Sequence, residues 1–163
     1  MKRRRLRFED FDAVLDEVDR LRATGCAGVG NWDLAQVCDH LGFAIEGSVD
    51  GFPAKGPWWV RTFVGPRARR RLFAAGRMST GVKIPERFTP KPGLDLNQSV
   101  DRLRRAVVLF ASHRGKFDSH PFLGRLTADE WRRFHLIHSA HHLGFLVPHE
   151  SAGGADTRAA ERS

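Results

Sequence analysis

The sequence predicts an all-α protein, a four-helix bundle with an irregular, partly helical insertion between the second and third long helices. Two observations support this fold class. Apolar residues recur at three- and four-residue steps in four separate segments, which is the spacing of amphipathic helices. A stretch rich in proline and glycine, residues 51–93, separates the second segment from the third. With 163 residues, the chain is long enough for one domain with a full core, which we expect over residues 1–149. We expect residues 150–163, which are small and polar, to form a disordered tail.

The first two helices are predicted from their apolar faces and their ends. Phe8, Phe11, Leu15 and Val18 lie on one face of the first helix, and a turn over residues 25–30 ends it. The second helix opens on Asn31 or Asp33, and Asp33 with Gln36 fits a capping box. It ends in a break at residues 50–53. We expect its inward side to consist of Leu34, Val37, Leu41, Ala44, Ile45 and Ser48, with His40 at the margin of that side.

The insertion contains aromatic residues that need burial, so we expect it to lie across the bundle. Residues 58–64 fit either a helical turn or an extended segment. Residues 66–75 fit a helix, because proline is favoured in a first helical turn. The insertion acts either as a lid over a site or as simple packing, and the sequence gives the two alternatives equal weight.

The third helix runs from Asp95 to about His113, and the arginines on its outer face, including Arg102, are expected in solvent. In the following loop, His120 precedes a proline and is expected to be extended, as a loop residue rather than part of a pocket. The last helix starts with a capping box of Thr127 and Glu130 and ends before Pro148.

Histidines concentrate on the buried side of this last helix. His135, His138 and His142 fall within about 60° of one another at 100° per residue. Polar side chains in such a place are costly without partners. Two explanations are open: core histidines bonded to the backbone or to each other, or ligands of a metal ion. For the i, i+4 pair His138 and His142 we favour the metal, because neutral imidazole is a common ligand of divalent metals.

A third ligand can come from the second helix, where His40 faces the pair across the core of a bundle. Three histidines with open positions are typical of a working metal site rather than a closed structural one. His135 and His141 are reserve candidates. A carboxylate from Asp39 or Glu46 is a candidate acceptor for the second nitrogen of a ligand ring. The pair lacks the internal glutamate of the His-Glu-x-x-His zinc proteases, which argues against a peptidase.

The cysteines and the charges exclude several classes of protein. Cys26 and Cys38 are too few for a disulfide framework or a Cys-rich zinc site, and we interpret Cys38 as a small core residue. Lys and Arg outnumber Asp and Glu by 27 to 19. Clusters at residues 3–7 and 67–71 are suited to nucleic acid or acidic lipid, but we favour solvated faces. We expect a cytoplasmic protein without membrane partners, since no segment spans a bilayer and no signal-peptide core follows the basic start.

Two groups of motifs resemble a known family. Residues 32–41, WDLAQVCDHL, followed by residues 138–144, HSAHHLG, resemble the DinB/YfiT-like superfamily. A bacterial branch of it, known only as a domain of unknown function, is more similar still. That closer similarity is carried by GNW at 30–32, IEGS at 45–48, HPFLG at 120–124 and HHLGFL at 141–146.

The resemblance implies a bundle that is often a homodimer, with a divalent metal (zinc, nickel or iron) on His40, His138 and His142. Related members include metal-dependent thiol transferases and a maleylpyruvate isomerase. The leading hypothesis is therefore a metal-dependent transferase that activates a low-molecular-weight thiol, or water, towards a small-molecule substrate. The alternatives are a non-catalytic or stress-linked metal-binding protein and, less favoured, a basic nucleic-acid-binding protein. The chain departs from the common ending His-Arg-Gly-Gln, because Leu143 and Phe145 replace its Arg and Gln.

Overall fold

The computed structural model describes residues 2–81 and 85–149, and the predicted tail at 150–163 lies outside them. The described part is mostly helical, as the sequence predicts. The α-helices are α1 (Phe11–Thr24), α2 (Leu34–Asp50), α3 (Gly65–Ala75), α4 (Leu96–Ser112) and α5 (Ala128–Leu143). A π-helical turn, Val60–Val64, leads into α3, and Glu86–Phe88 forms a short 3-10 turn. The two strands are β1 (Cys26–Gly28) and β2 (Leu146–Pro148).

The predicted starts of α2 and α5 are confirmed at the level of single hydrogen bonds, whereas α1 begins only at Phe11, so Phe8 lies before the helix and not on its face. Asp33 and Gln36 form the capping box of α2, with the Asp33 side chain accepting from the Gln36 amide at 2.8 Å. Thr127 and Glu130 do the same for α5. Asp95 caps α4 through the Gln98 amide. These caps satisfy amides that have no partner inside the helix, and they set where each helix begins.

The four longer helices enclose the core. α2 packs mainly on α4 and also contacts α1 and α5, while α1 contacts α4 and α5. One cluster of buried apolar side chains joins all four, with Leu21 of α1, Leu41 of α2, Leu103 of α4 and Trp131 of α5 among its fully buried members. None of the described helices is long and apolar enough to cross a membrane. α2, which carries His40, and α5, which carries the other histidines of interest, are in direct contact.

A two-stranded ribbon corrects the expectation of helices and turns alone. β1 follows α1, where the sequence suggested only a turn, and pairs antiparallel with β2, which follows α5. The strands are three residues long, too short for alternation of apolar and polar residues to reveal them. The ribbon ties the end of α1 to the end of α5, and α5 itself stops at Leu143, before the proline that was expected to limit it.

The N-terminal residues run beside the same end of α5. The Arg4 amide donates to the Gly144 carbonyl at 2.8 Å, and its guanidinium binds Glu17 and the Leu146 carbonyl, each at 2.6 Å. A Cβ atom at Gly144 would lie 2.8 Å from the Arg4 carbonyl oxygen, so only glycine permits this approach. Part of the N-terminal basic cluster is therefore committed to internal contacts.

The insertion packs against the loop before α5. Residues 58–64 are helical, and α3 has Pro66 in its first turn, as predicted. The Gly56 amide donates to the Pro121 carbonyl at 2.9 Å. A Cβ at Gly65 would meet the Phe122 carbonyl oxygen at 2.8 Å, which shows how closely the two segments approach. A lid function stays a prediction.

Candidate metal centre

Three histidines meet between α2 and α5. His138 Nε2 lies 3.2 Å from His40 Nε2 and 3.0 Å from His142 Nε2. One nitrogen of each ring lies within 4.8 Å of the other two, so the group could hold a metal ion. His40 and His138 are buried, and His142 is partly exposed. The structure thus brings together the three residues that the sequence pattern singled out.

The spacing of these nitrogens fits a common ion. Imidazole nitrogens lie about 2.0–2.1 Å from zinc, so two ligands are about 2.9 Å apart at a right angle and about 3.4 Å apart at the tetrahedral angle. The observed separations of 3.0 and 3.2 Å fall between these values. Among the described residues, no fourth His, Cys, Asp or Glu joins the group. A three-nitrogen set leaves positions for an exchangeable ligand, unlike the four-ligand structural zinc sites.

Hydrogen bonds among the three rings cannot pair all of the nitrogen lone pairs that meet there. His40 Nδ1 lies 3.0 Å from the Phe88 carbonyl oxygen, which accepts only if Nδ1 carries the proton, so Nε2 presents its lone pair to His138. A single proton on His138 Nε2 can reach one neighbour and leaves the other unpaired. A cation satisfies all three lone pairs at once, and the Phe88 carbonyl fixes the tautomer that this requires.

Burial keeps the three rings neutral. It lowers the pKa of His40 to about 4. Burial, and then the neighbouring imidazoles, lower the pKa values of His138 and His142 well below 6.5. Neutral imidazole is the form that binds a metal, so the cluster is ready to act as a ligand set at neutral pH.

A comparison with known proteins places the chain in a family. Residues 1–149 match the family described as "Protein of unknown function (DUF1569)". The chain belongs to this family. No curated protein and no solved structure matches it.

In this DUF1569 protein, aromatic rings surround the histidines. Trp32, just before α2, stacks on His142 with ring centroids 5.0 Å apart and also contacts His40 at 4.8 Å. Phe134 lies 5.4 Å from His138. These rings cover part of the imidazole surface. The roles of Trp32 and of the Phe88 carbonyl were missed from the sequence, since a main-chain acceptor 48 positions away leaves no motif.

The carboxylates expected to orient the ligands have another partner. Arg102 donates to Asp39 Oδ1 and to Glu46 Oε2, each at 2.6 Å. The expectation that Arg102 is simply solvated is therefore wrong, because α4 places it against both acids of α2. These ion pairs join the two helices behind His40, whose own acceptor is the Phe88 carbonyl.

The reserve histidines have separate surroundings. His135 Nε2 lies 3.1 Å from Ser48 Oγ, and its ring stacks on Trp131. Arg3 donates to His141 Nδ1 at 3.1 Å, and burial followed by the Arg3 charge lowers the pKa of His141 to about 4. Neither residue joins the three-histidine group. Arg3, predicted as a solvated surface cation, instead places a positive charge beside the cluster.

Two further residues considered in the sequence analysis, His120 and Cys38, have structural roles. His120 is held by its loop, with Nδ1 accepting from the amides of Phe122 and Leu123 at 3.1 Å each. Cys38 is completely buried, as expected of a core residue, and burial raises its pKa to about 12. Its thiol is therefore protonated at neutral pH and is not a nucleophile.

Proposed function

We propose that His40, His138 and His142 bind a divalent metal, and that the protein is a transferase which activates a low-molecular-weight thiol, or water, at this centre. The single observation that carries the proposal is the convergence of three neutral Nε2 atoms at ligand spacing. We also propose that the family is a branch of the DinB/YfiT-like superfamily. The positions of the histidines on the second and the last long helix support that relationship.

A bound divalent ion supplies Lewis-acid chemistry, since it lowers the pKa of a thiol or water that binds to it. The chain contributes the rest. The Phe88 carbonyl holds the His40 tautomer, and Trp32 and Phe134 cover part of the imidazole surface. Because Cys38 is buried and protonated, the nucleophile comes from outside the chain. In the transfer, the sulfur of the thiol forms a bond to an electrophilic carbon, the leaving group departs with the electron pair, and the thiol proton passes to solvent.

The surroundings favour an anionic small molecule. A cavity of about 220 Å³ opens beside His40, and Arg87 and Lys91 line it together with Phe43 and Phe88. Among the described residues, neither Arg87 nor Lys91 forms a salt bridge. On the other side, Arg3 adds a positive charge near His142. Cations around a neutral ligand set attract acidic substrates, as in other positively charged clefts.

The test separates metal binding from turnover. Protein purified without a histidine tag is loaded with zinc or nickel and assayed for consumption of small thiols in the presence of an electrophile. We expect turnover that disappears with a chelator and in His142→Ala, while the neighbouring His141→Ala retains it. Metal content that is equal in the wild type and in His142→Ala contradicts the site. Full metal occupancy with no reaction across the thiol panel contradicts the transferase and leaves the metal centre standing.

A non-catalytic metal protein is the second candidate. His40 belongs to α2 and the other two ligands to α5, so an ion cross-links two core helices. An ion bound only to the folded state stabilises it by mass action. Loss of metal without any loss of thermal stability contradicts this second role.

A further inference from the structure

An apolar patch is exposed where the insertion begins its helix. Trp58, Trp59, Phe63 and Val64 are 66, 52, 58 and 48 % exposed, respectively. The rings of Trp58 and Phe63 are 6.2 Å apart, so they form one surface. We call these four residues the aromatic patch. Large apolar side chains grouped in this way on a surface mark an interaction site, whereas single ones do not.

The net positive charge of the chain resides in the sequence segment that contains this patch. Residues 51–85 contain eight Lys and Arg and no Asp or Glu, which equals the net charge of +8 of the whole chain. The remaining residues therefore carry as many negative as positive charges. This segregation predicts a partner with a negative surface.

Three arginines extend the aromatic patch along α3. Arg67, Arg70 and Arg71 are exposed, and none of them forms a salt bridge among the described residues. Arg69, on the inner side, donates instead to the Arg125 carbonyl at 2.7 Å. The solvent side of residues 58–71 thus presents an apolar end followed by a cationic end.

This combination fits a lipid surface better than the other negative partners. Trp prefers the boundary between lipid headgroups and acyl chains, and a basic helix with exposed Trp and Phe is typical of peripheral membrane anchors. The patch lies at exposed positions of a helical segment, whereas single-stranded nucleic acid is bound in grooves that line up stacking rings. A second copy of the chain would bring its own arginines against these, at an electrostatic cost.

We propose that the aromatic patch and Arg67, Arg70 and Arg71 dock the protein on the surface of an anionic lipid bilayer. Trp58, Trp59, Phe63 and Val64 enter the headgroup boundary, and the arginines bind lipid phosphates. The inference is independent of the metal centre, because none of these residues contacts the histidines.

Co-sedimentation with vesicles tests the proposal. One set of vesicles is phosphatidylcholine alone, and the other contains phosphatidylcholine with phosphatidylglycerol. The wild type is expected to sediment with the second set only, and less as salt is raised. Trp58→Ser with Trp59→Ser should abolish sedimentation. Since each basic residue near an anionic surface contributes about fivefold to partitioning, Arg67→Gln, Arg70→Gln and Arg71→Gln together should weaken it by about 100-fold.

Matched controls lie on α4. Val108 is as exposed as Trp58, at 66 %, and Arg105 is exposed. Val108→Ser and Arg105→Gln should bind vesicles as the wild type does, and circular dichroism of every variant checks that it is folded. Equal sedimentation with both sets of vesicles, or none with either, overturns the proposal. Two other results would also overturn it, each in the absence of vesicle binding. One is a dimer in size-exclusion chromatography that becomes a monomer in the Trp variant. The other is binding of an oligonucleotide that the Trp variant loses.

Discussion

Three histidines of α5 differ in what their ring nitrogens face. His135 alone makes up the first group, and His138 and His142, together with His40 of α2, make up the second. His135 is buried against Trp131, and its Nε2 lies beside a hydroxyl, Ser48 Oγ, which itself donates to the Ile45 carbonyl. One turn further on, His138 faces other imidazole nitrogens, from His142 and from His40 of α2. The Nε2 atom of the first group has a hydroxyl partner, whereas the Nε2 atoms of the second group face one another. Burial alone therefore does not identify a candidate metal ligand. The type of atom that faces the imidazole nitrogen does.

The largest expected effect is the loss of metal binding when the second group is altered. His142→Ala or His138→Ala should weaken metal binding by about 1,000-fold or more. Removing a group that only orients a ligand typically lowers metal affinity by roughly 10–100-fold, and removing the ligand itself should lower it further. His142 is partly exposed, so its variant should stay folded. Isothermal titration with zinc measures the affinity, and His141→Ala, with a ring held by Arg3, is the matched control. Binding that survives both ligand variants would remove the distinction between the groups.

The first group should appear in the response to acid. Burial lowers the pKa of His135 to about 3, below the value of 6.5 expected in the unfolded chain. The unfolded state therefore takes up the proton first, and the free energy of unfolding falls as the pH drops from 6.5 towards 3. Each such histidine contributes about 1.4 kcal/mol per pH unit, or about 5 kcal/mol over this interval. Urea denaturation at a series of pH values gives the slope of the free energy of unfolding against pH. In His135→Phe this slope should be smaller by the amount that one proton contributes. An unchanged slope would contradict the buried, neutral assignment.

Adding metal should stabilise the protein through the second group alone. At a free metal concentration of about 100 times Kd, the gain is about 2.7 kcal/mol, which corresponds to a rise in Tm of about 5–10 °C for a protein of this size. Differential scanning calorimetry with and without zinc measures it. His135→Phe should keep the rise and His142→Ala should lose it. A rise of the same size in His142→Ala would place the ion elsewhere.

A smaller change is expected at Trp32, the aromatic ring that packs against two of the three histidines. Trp32→Ala should weaken metal binding by about tenfold, because it frees the rings of His142 and His40 from their common neighbour. Trp32→Phe should retain most of the affinity, since it keeps a ring to stack upon. Competition with a chromophoric chelator resolves a change of this size. Equal affinities for all three proteins would show that the packing contributes nothing to the site.

Local signals in the sequence predicted the helices and the convergence of the three histidines. Capping boxes at Asp33 and Thr127 and apolar periodicity depend on residues within one or two turns, so they are legible in a single chain. The i, i+4 spacing of His138 and His142 is equally local. His40 needed the additional assumption that α2 faces α5 across a bundle.

What the sequence could not predict depends on distant contacts. The ribbon of β1 and β2 pairs Ala27 with Val147, and neither short strand has a pattern of its own. The capture of Asp39 and Glu46 by Arg102, and the use of the Phe88 carbonyl by His40, both follow from the packing of separate segments. Many residues of the chain have the right type to be such a partner. Only the three-dimensional structure shows which of them is in contact.

The decisive measurement is anomalous diffraction at the absorption edge of the metal, on crystals of protein purified without a chelating column. We expect one strong peak between α2 and α5, about 2.0–2.1 Å from the Nε2 atoms of His40, His138 and His142. A metal-free cluster in crystals grown with excess zinc, or a peak on other residues, would contradict it.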